Sequence, residues 1–268
     1  MPFTLSHPAL VLPLLAKTRR WLSVTGLVLG SMAPDFEYFL RLKPYGSYGH
    51  TWVGIFWFDL PLGLLVAGLF HLVVKRPLVR SLPSFLRARL GQLSEQPWPL
   101  RNLWSKRLIL GVLIGSLSHI FWDAFTHNNS PITVGIDFLN LRVGPLTLYR
   151  WLQYISSVIG LVAIAWFVWK LPAKPRLVKA TSKIQRLFWT LTGVLMAIFW
   201  VAFMLIHETY ERGVITYLIV TGISAISLAL LITSTLMRRY FEPSKEARAA
   251  RDLKRDIAHE ITQKQLQL

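Results

Sequence analysis

The stretch LILGVLIGSLSHIFWDAFT, residues 108–126, joins two properties that seldom share a helix. It is almost wholly apolar over nineteen residues, yet it carries His119 and Asp123. About 20 such residues cross the roughly 30 Å of hydrocarbon in a bilayer. Four more stretches qualify on the same ground: 54–74, 151–169, 188–206 and 214–237. A sixth apolar region, near the start, is broken into 8–16 and 21–33 by Lys17-Thr18-Arg19-Arg20. Each half is too short to span alone, so the pair reads as a helical hairpin, spanning or re-entrant. Lipid tolerates such backbone only where other helices shield it. The expected fold class is all-α, a polytopic membrane helix bundle of about six membrane segments including the N-terminal helical hairpin.

Composition agrees. Hydrophobic types make up 53% of the 268 residues and charged types 16%, where a soluble domain carries about a quarter of charged residues. So many apolar side chains, 11 Trp and 15 Phe among them, exceed what one water-soluble core hides. With no cysteine and no low-complexity segment, a disulfide scaffold and a disordered or collagen-like chain are excluded. The opening 1–16 has no basic residue ahead of its apolar run and no small-x-small cleavage site, and Pro8 and Pro13 interrupt it. It is expected to be retained rather than removed as a signal peptide.

Thirty Lys+Arg against 13 Asp+Glu give a net charge of +17, a balance that could suggest nucleic acid. Their placement argues otherwise. Segment 75–107 holds eight basic residues and one acid, segment 170–186 six and none, and the tail from Arg238 eight and five. The alternate loops hold only five, with three more at the hairpin tip. By the positive-inside rule the basic loops and the tail are cytoplasmic, in a bacterial inner (plasma) membrane protein. The expected partners are therefore membrane lipids and no nucleic acid. Two regions are expected: a membrane-embedded domain at 1–240 and a cytoplasmic tail at 241–268. In the tail Leu253, Ile257 and Ile261 recur at helical spacing, which predicts an amphipathic helix over 245–265.

Titratable groups within spans are costly and usually mark function. Here they gather toward one face. His119, Asp123 and His127 are spaced i, i+4, i+8, so they form one stripe along a helix of 3.6 residues per turn, with Ser116 extending it. On the expected topology His7, Asp35 and His50 return to the same level. Imidazole nitrogens and carboxylate oxygens without thiolate suit Zn²⁺, Mn²⁺ or Fe²⁺. A His–Asp pair that only satisfies itself by hydrogen bonding is the plain alternative.

Three blocks carry a family resemblance: Pro2-Phe3-Thr4-Leu5-Ser6-His7-Pro8, Gly30-Ser31-Met32-Ala33-Pro34-Asp35-Phe36-Glu37-Tyr38, and Ser118-His119-Ile120-Phe121-Trp122-Asp123-Ala124-Phe125-Thr126-His127. Together they resemble the bacterial membrane family described as domain of unknown function 4184, over nearly the whole chain. That family looks like a relative of the membrane-bound metal-dependent hydrolases, and more distantly of the all-helical zinc-dependent phospholipase C and nuclease fold. The resemblance implies His7, Asp35, His50, His119 and Asp123 as metal ligands. His127 belongs to the block particular to the first family. Where the wider group has a denser His/Ser motif, this chain has only Gly49-His50-Thr51.

Other residues are weighed by position. Asp59, about two and a half turns along from His50, is a candidate general base or orienting group. Glu37 is a candidate acid/base, or a loop carboxylate in water. Arg142, in the longest outer loop, is the natural phosphate partner by its planar fork. His71 reads as an interface residue, and His207 with Glu211 as a supplementary ligand pair or a solvated turn. The function expected is metal-dependent hydrolysis of a phosphoester or lipid-linked substrate at the extracytoplasmic face, with zinc the first choice of metal. The alternatives are a structural metal or hydrogen-bonded lock, and an ion or proton carrier.

Overall fold

The computed structural model describes residues 3–17, 21–128, 130–174, 180–206 and 213–242. The tail helix expected over 245–265 and the His207–Glu211 motif lie outside these residues.

The chain is an all-α polytopic protein. Among the described residues, five helices are long and apolar enough to cross a membrane: α4 (Ile55–Ser81), α6 (Lys106–Thr126), α9 (Leu148–Lys170), α10 (Ser182–Ile206) and α11 (Val214–Leu236). Their outer faces stay apolar. Val158, Val162 and Trp166 of α9, and Ile198, Val201 and Leu205 of α10, are all exposed. Such rows would be costly in water and match hydrocarbon.

The N-terminal region forms two short helices, α1 (Pro8–Lys17) and α2 (Val24–Gly30). At 1.5 Å per residue they reach roughly 15 and 10 Å, so neither half crosses a bilayer alone. The second half, expected over 21–33, is shorter than that pattern. Ser23 caps its start by accepting from the Gly26 N–H at 3.3 Å. It ends at Gly30, because Pro34 has no N–H for the Gly30 carbonyl, which takes the Ser116 hydroxyl at 3.2 Å instead. A 3₁₀ turn (Ala33–Asp35) and α3 (Phe36–Arg41) follow.

Glycine sets how closely α2 approaches α6. A Cβ on Gly30 would overlap the Val112 carbonyl, while one on Gly26 would fall 2.5 Å from that of Leu108 and one on Gly115 2.5 Å from the Ser31 nitrogen. Small residues spaced by four on both helices allow this contact. It brings the end of α2 against the middle of α6.

Helix α4 runs seven residues past the expected 54–74 and contains two wide turns, Ile55–Asp59 and Phe70–Val74. Their cause is in the sequence. Pro61 and Pro77 have no N–H for the carbonyls of Trp57 and Val73, and their rings crowd those carbonyls. Both carbonyls fall inside the wide turns, which absorb the conflict. Each turn holds one titratable residue, Asp59 or His71. Helix α5 (Ser84–Glu95) returns along the basic end. Beyond α6, the short helices α7 (Pro131–Gly135) and α8 (Asp137–Asn140) lead to a hairpin of β1 (Arg142–Val143) and β2 (Leu146–Thr147), which turns at Gly144 with φ +63°. A last short helix, α12 (Arg238–Phe241), ends the described chain.

Candidate metal centre

Four segments deliver the residues. His7 sits between the first turn (Thr4–Ser6) and α1, Asp35 between α2 and α3, His50 in the loop before α4, and His119 and Asp123 on α6. His7, Asp35 and His119 are 1%, 0% and 0% exposed, so bulk solvent does not reach them. His50 is the partly open member.

His119 is oriented by the backbone. Its Nδ1 lies 2.8 Å from the Ser31 carbonyl, which can only accept. Nδ1 therefore carries the proton, and Nε2 turns its lone pair into the cluster. His7 stacks on this ring at 3.7 Å and places Nε2 3.6 Å from Asp123 Oδ1. The Thr4 hydroxyl donates to Asp35 Oδ2 at 2.5 Å, leaving Oδ1 to face His50 Nε2 at 3.4 Å and His119 Nε2 at 3.6 Å. Asp123 Oδ2 lies 3.4 Å from His50 Nε2 and 3.3 Å from His119 Nε2, and the two Nε2 atoms are 3.3 Å apart.

These separations fit coordination. Tetrahedral ligands at about 2.1 Å from a cation lie about 3.4 Å from each other. Asp35, His50 and His119 form one triangle of that size, and Asp123, His50 and His119 another. The triangles share the His50–His119 edge. His7, His119 and Asp123 make a further close group. A His/Asp group that could hold a metal ion is thus present, in overlapping sets with no thiolate.

The polar inventory points the same way. Both nitrogens of His7, Oδ1 of Asp35 and both carboxylate oxygens of Asp123 are buried without a hydrogen-bond partner among the described residues. Leaving ionised groups in that condition costs several kcal/mol each. Positive charge answers it. Burial opposes a charge on His50, but the adjacent Asp123 and Asp35 carboxylates push its pKa up to about 10. A proton or a metal ion meets the same demand.

The remaining candidates take distinct places. His127 has Nδ1 3.1 Å from the Asp123 carbonyl and 3.5 Å from Asp123 Oδ2, with its side chain 30% exposed. With that nitrogen His127 braces Asp123, and it is not a member of the close His/Asp groups among the described residues. Asp59 is wholly buried beside Ser116, and neither oxygen has a hydrogen-bond partner among the described residues. Glu37 is not a loop acid in water. It is buried and accepts from the backbone N–H groups of Ser47, Tyr48 and Gly49 and from Arg41, at 2.8–2.9 Å. Burial alone would raise its pKa, but those donors hold it below the ordinary value. With its oxygens so occupied, Glu37 anchors the loop that delivers His50. Arg142 stands on the exposed β1 strand.

A cavity of about 920 Å³ adjoins the cluster through Thr4, Tyr38 and His127. Arg150 and Tyr149 give it a polar rim, while Ile219 and Ile223 of α11 belong to its apolar wall. Arg142 is not among the residues lining it, and Arg150, eight positions on, is. Thr4, Tyr38, Arg150 and the Ser31 carbonyl all escape sequence reasoning. The first two lie within the family blocks but are not titratable near neutral pH, and a carbonyl has no residue-type signature.

Fold and cluster together define a class: a polytopic helical membrane protein with a buried His/Asp group able to hold a metal ion. Residues 1–235 match the family described as Domain of unknown function (DUF4184), and the chain belongs to that family. No curated protein and no solved structure matches it.

Proposed function

We propose that this protein is a membrane-embedded metal-dependent hydrolase acting on a phosphoester, with a lipid-linked substrate favoured. One observation carries the reading. Asp35, His50, His119 and Asp123, remote in sequence, converge at 3.3–3.6 Å with several of their buried atoms unpartnered among the described residues. A divalent cation held there, zinc by preference with Mn²⁺ or Fe²⁺ as alternatives, would supply Lewis-acid polarisation and a bound water of lowered pKa.

The chain's own residues supply the rest. Asp35 and Asp123 hold negative charge where a cation is wanted, and Ser31 keeps Nε2 of His119 available. His127 touches Asp123 and lines the cavity, so it is placed to exchange a proton between the two. Asp59, buried beneath, is assigned electrostatic support of His50 and His119 rather than contact with substrate. The cavity suits an amphiphile: Arg150 can pair with a phosphate by its planar fork while the α11 wall takes an apolar chain.

A second reading rests on the same short His–Asp separations, which would also suit a closed lock, with or without metal, and no catalysis. Elemental analysis of the detergent-purified protein, paired with hydrolysis of a chromogenic phosphodiester, separates the two. The wild type should retain stoichiometric metal and hydrolyse the ester. His119→Ala should lose both while still partitioning with the membrane fraction. Metal without hydrolysis supports the lock, and no metal after supplementation defeats the hydrolase.

A further inference from the structure

At the far end of α4 from the His/Asp cluster, a second polar group surrounds a cavity of about 310 Å³. At 1.5 Å per residue, His71 lies roughly 18 Å along the helix from Asp59. The cavity has room for on the order of ten water molecules at about 30 Å³ each. Lys75, Arg76 and Arg238 line it with His71, and Glu242 is the one carboxylate among its described lining residues.

The donors there outnumber the acceptors. Lys75 is only 5% exposed, and its ammonium donates to the Gln96 carbonyl at 3.0 Å. That bond uses one of its three protons and leaves two for a further acceptor. The nearby carboxylates already have partners: Glu95 takes Arg80 at 2.7 Å and feels the charge of Arg76, and Glu242 faces Arg238 at 3.6 Å. The His71 ring lies flat on Trp98, with centroids 4.5 Å apart and planes at 3°, and its Nε2 is 2.8 Å from the Thr25 hydroxyl. Its Nδ1 is buried and has no hydrogen-bond partner among the described residues. Burying an ammonium is expensive unless an anion answers it.

The setting identifies the anion. The cavity sits where the apolar length of α4 gives way to basic residues, at the level of lipid headgroups. Leu72 and Val73 are among its apolar walls, and Leu72 is exposed on the bundle surface, where an acyl chain would run. We propose that this cavity binds a phosphate-bearing headgroup, with Lys75, Arg76 and Arg238 as its cationic partners. The site is separate from the His/Asp centre and does not depend on what that centre does.

Native mass spectrometry of the full detergent-purified chain, offered equal phosphatidylglycerol and phosphatidylcholine, tests it. The wild type should retain the anionic lipid about fivefold or more over the zwitterionic one, the expectation for one cation near the surface. Lys75→Met should abolish the preference. Arg238→Gln, at a side chain 59% exposed, should lower it several-fold without risk to folding. Inorganic phosphate is the second arm. If it displaces phosphatidylglycerol, the site takes the bare anion as well, and if not, the ligand is the lipid. Equal retention of both lipids with no thermal shift from phosphate overturns the proposal, as does an unchanged preference in both variants. Metal content should be the same in all three proteins.

Discussion

Glu37 serves the cluster without entering it. Its carboxylate gathers three consecutive backbone N–H groups and Arg41, and so fixes the loop that ends at His50. Glu37→Gln keeps the shape, but its NH₂ cannot accept, so the N–H groups that face one of the two oxygens lose their acceptor and the others keep only a neutral one, at a cost of about 1.5–3 kcal/mol or more. Thermal unfolding and limited proteolysis of the 42–50 loop should both register it. The sign with pH follows from the lowered pKa. The stabilisation from Glu37 is complete above its ordinary value of 4.5 and lost as pH falls through the lower folded value. The Gln variant should lack that acid-side component. The sequence marks Glu37 only as an acid two residues past Asp35, because the partners that define its role are backbone groups. His119 and Asp123 are legible for the opposite reason: ionisable types stand out in an apolar helix.

Among the elements, the seam between α2 and α6 controls the site. Gly30→Ala would drive a methyl into the Val112 carbonyl, an overlap relieved only by parting the helices. The expected loss is about 1–3 kcal/mol or more, with a matching fall in metal content, because Ser31 and Asp35 move with α2. Gly193 on α10 is different, since a methyl group added there would meet nothing within 4 Å among the described residues. Gly193→Ala should therefore be neutral or stabilising by up to about 1 kcal/mol, measured in the same melts. Span positions are readable from length and hydropathy. The wide turns of α4 are not, since periodicity carries no mark of one extra residue per turn, although Pro61 and Pro77 supply their cause.

Across the whole molecule, charge and chemistry are segregated. Lys75, Arg76, Arg80 and Arg107 stand at one end of the bundle and the His/Asp cluster at the other. The loop charges make this division legible in the sequence, and the three family blocks supply most of the cluster. What they leave out is which atoms face one another, since that depends on the close approach of helices. A cation bound at the meeting point of four chain segments should stabilise the entire bundle. At a free concentration 100 times Kd the gain is about 2.7 kcal/mol. A chelator should therefore lower the melting temperature of wild type and leave that of His119→Ala unmoved. Ligating imidazoles must be neutral, so protons compete with the cation and retained metal should fall as pH is lowered, followed by elemental analysis after buffer exchange.

The Ser31 carbonyl that holds His119 belongs to the main chain, so no side-chain replacement at Ser31 can delete it. The protonation pattern of that imidazole is inherited from the path of the polypeptide just after Gly30. Redesign of the centre by swapping neighbouring side chains would leave this tautomer in force, and only a change in the course of the backbone would release it.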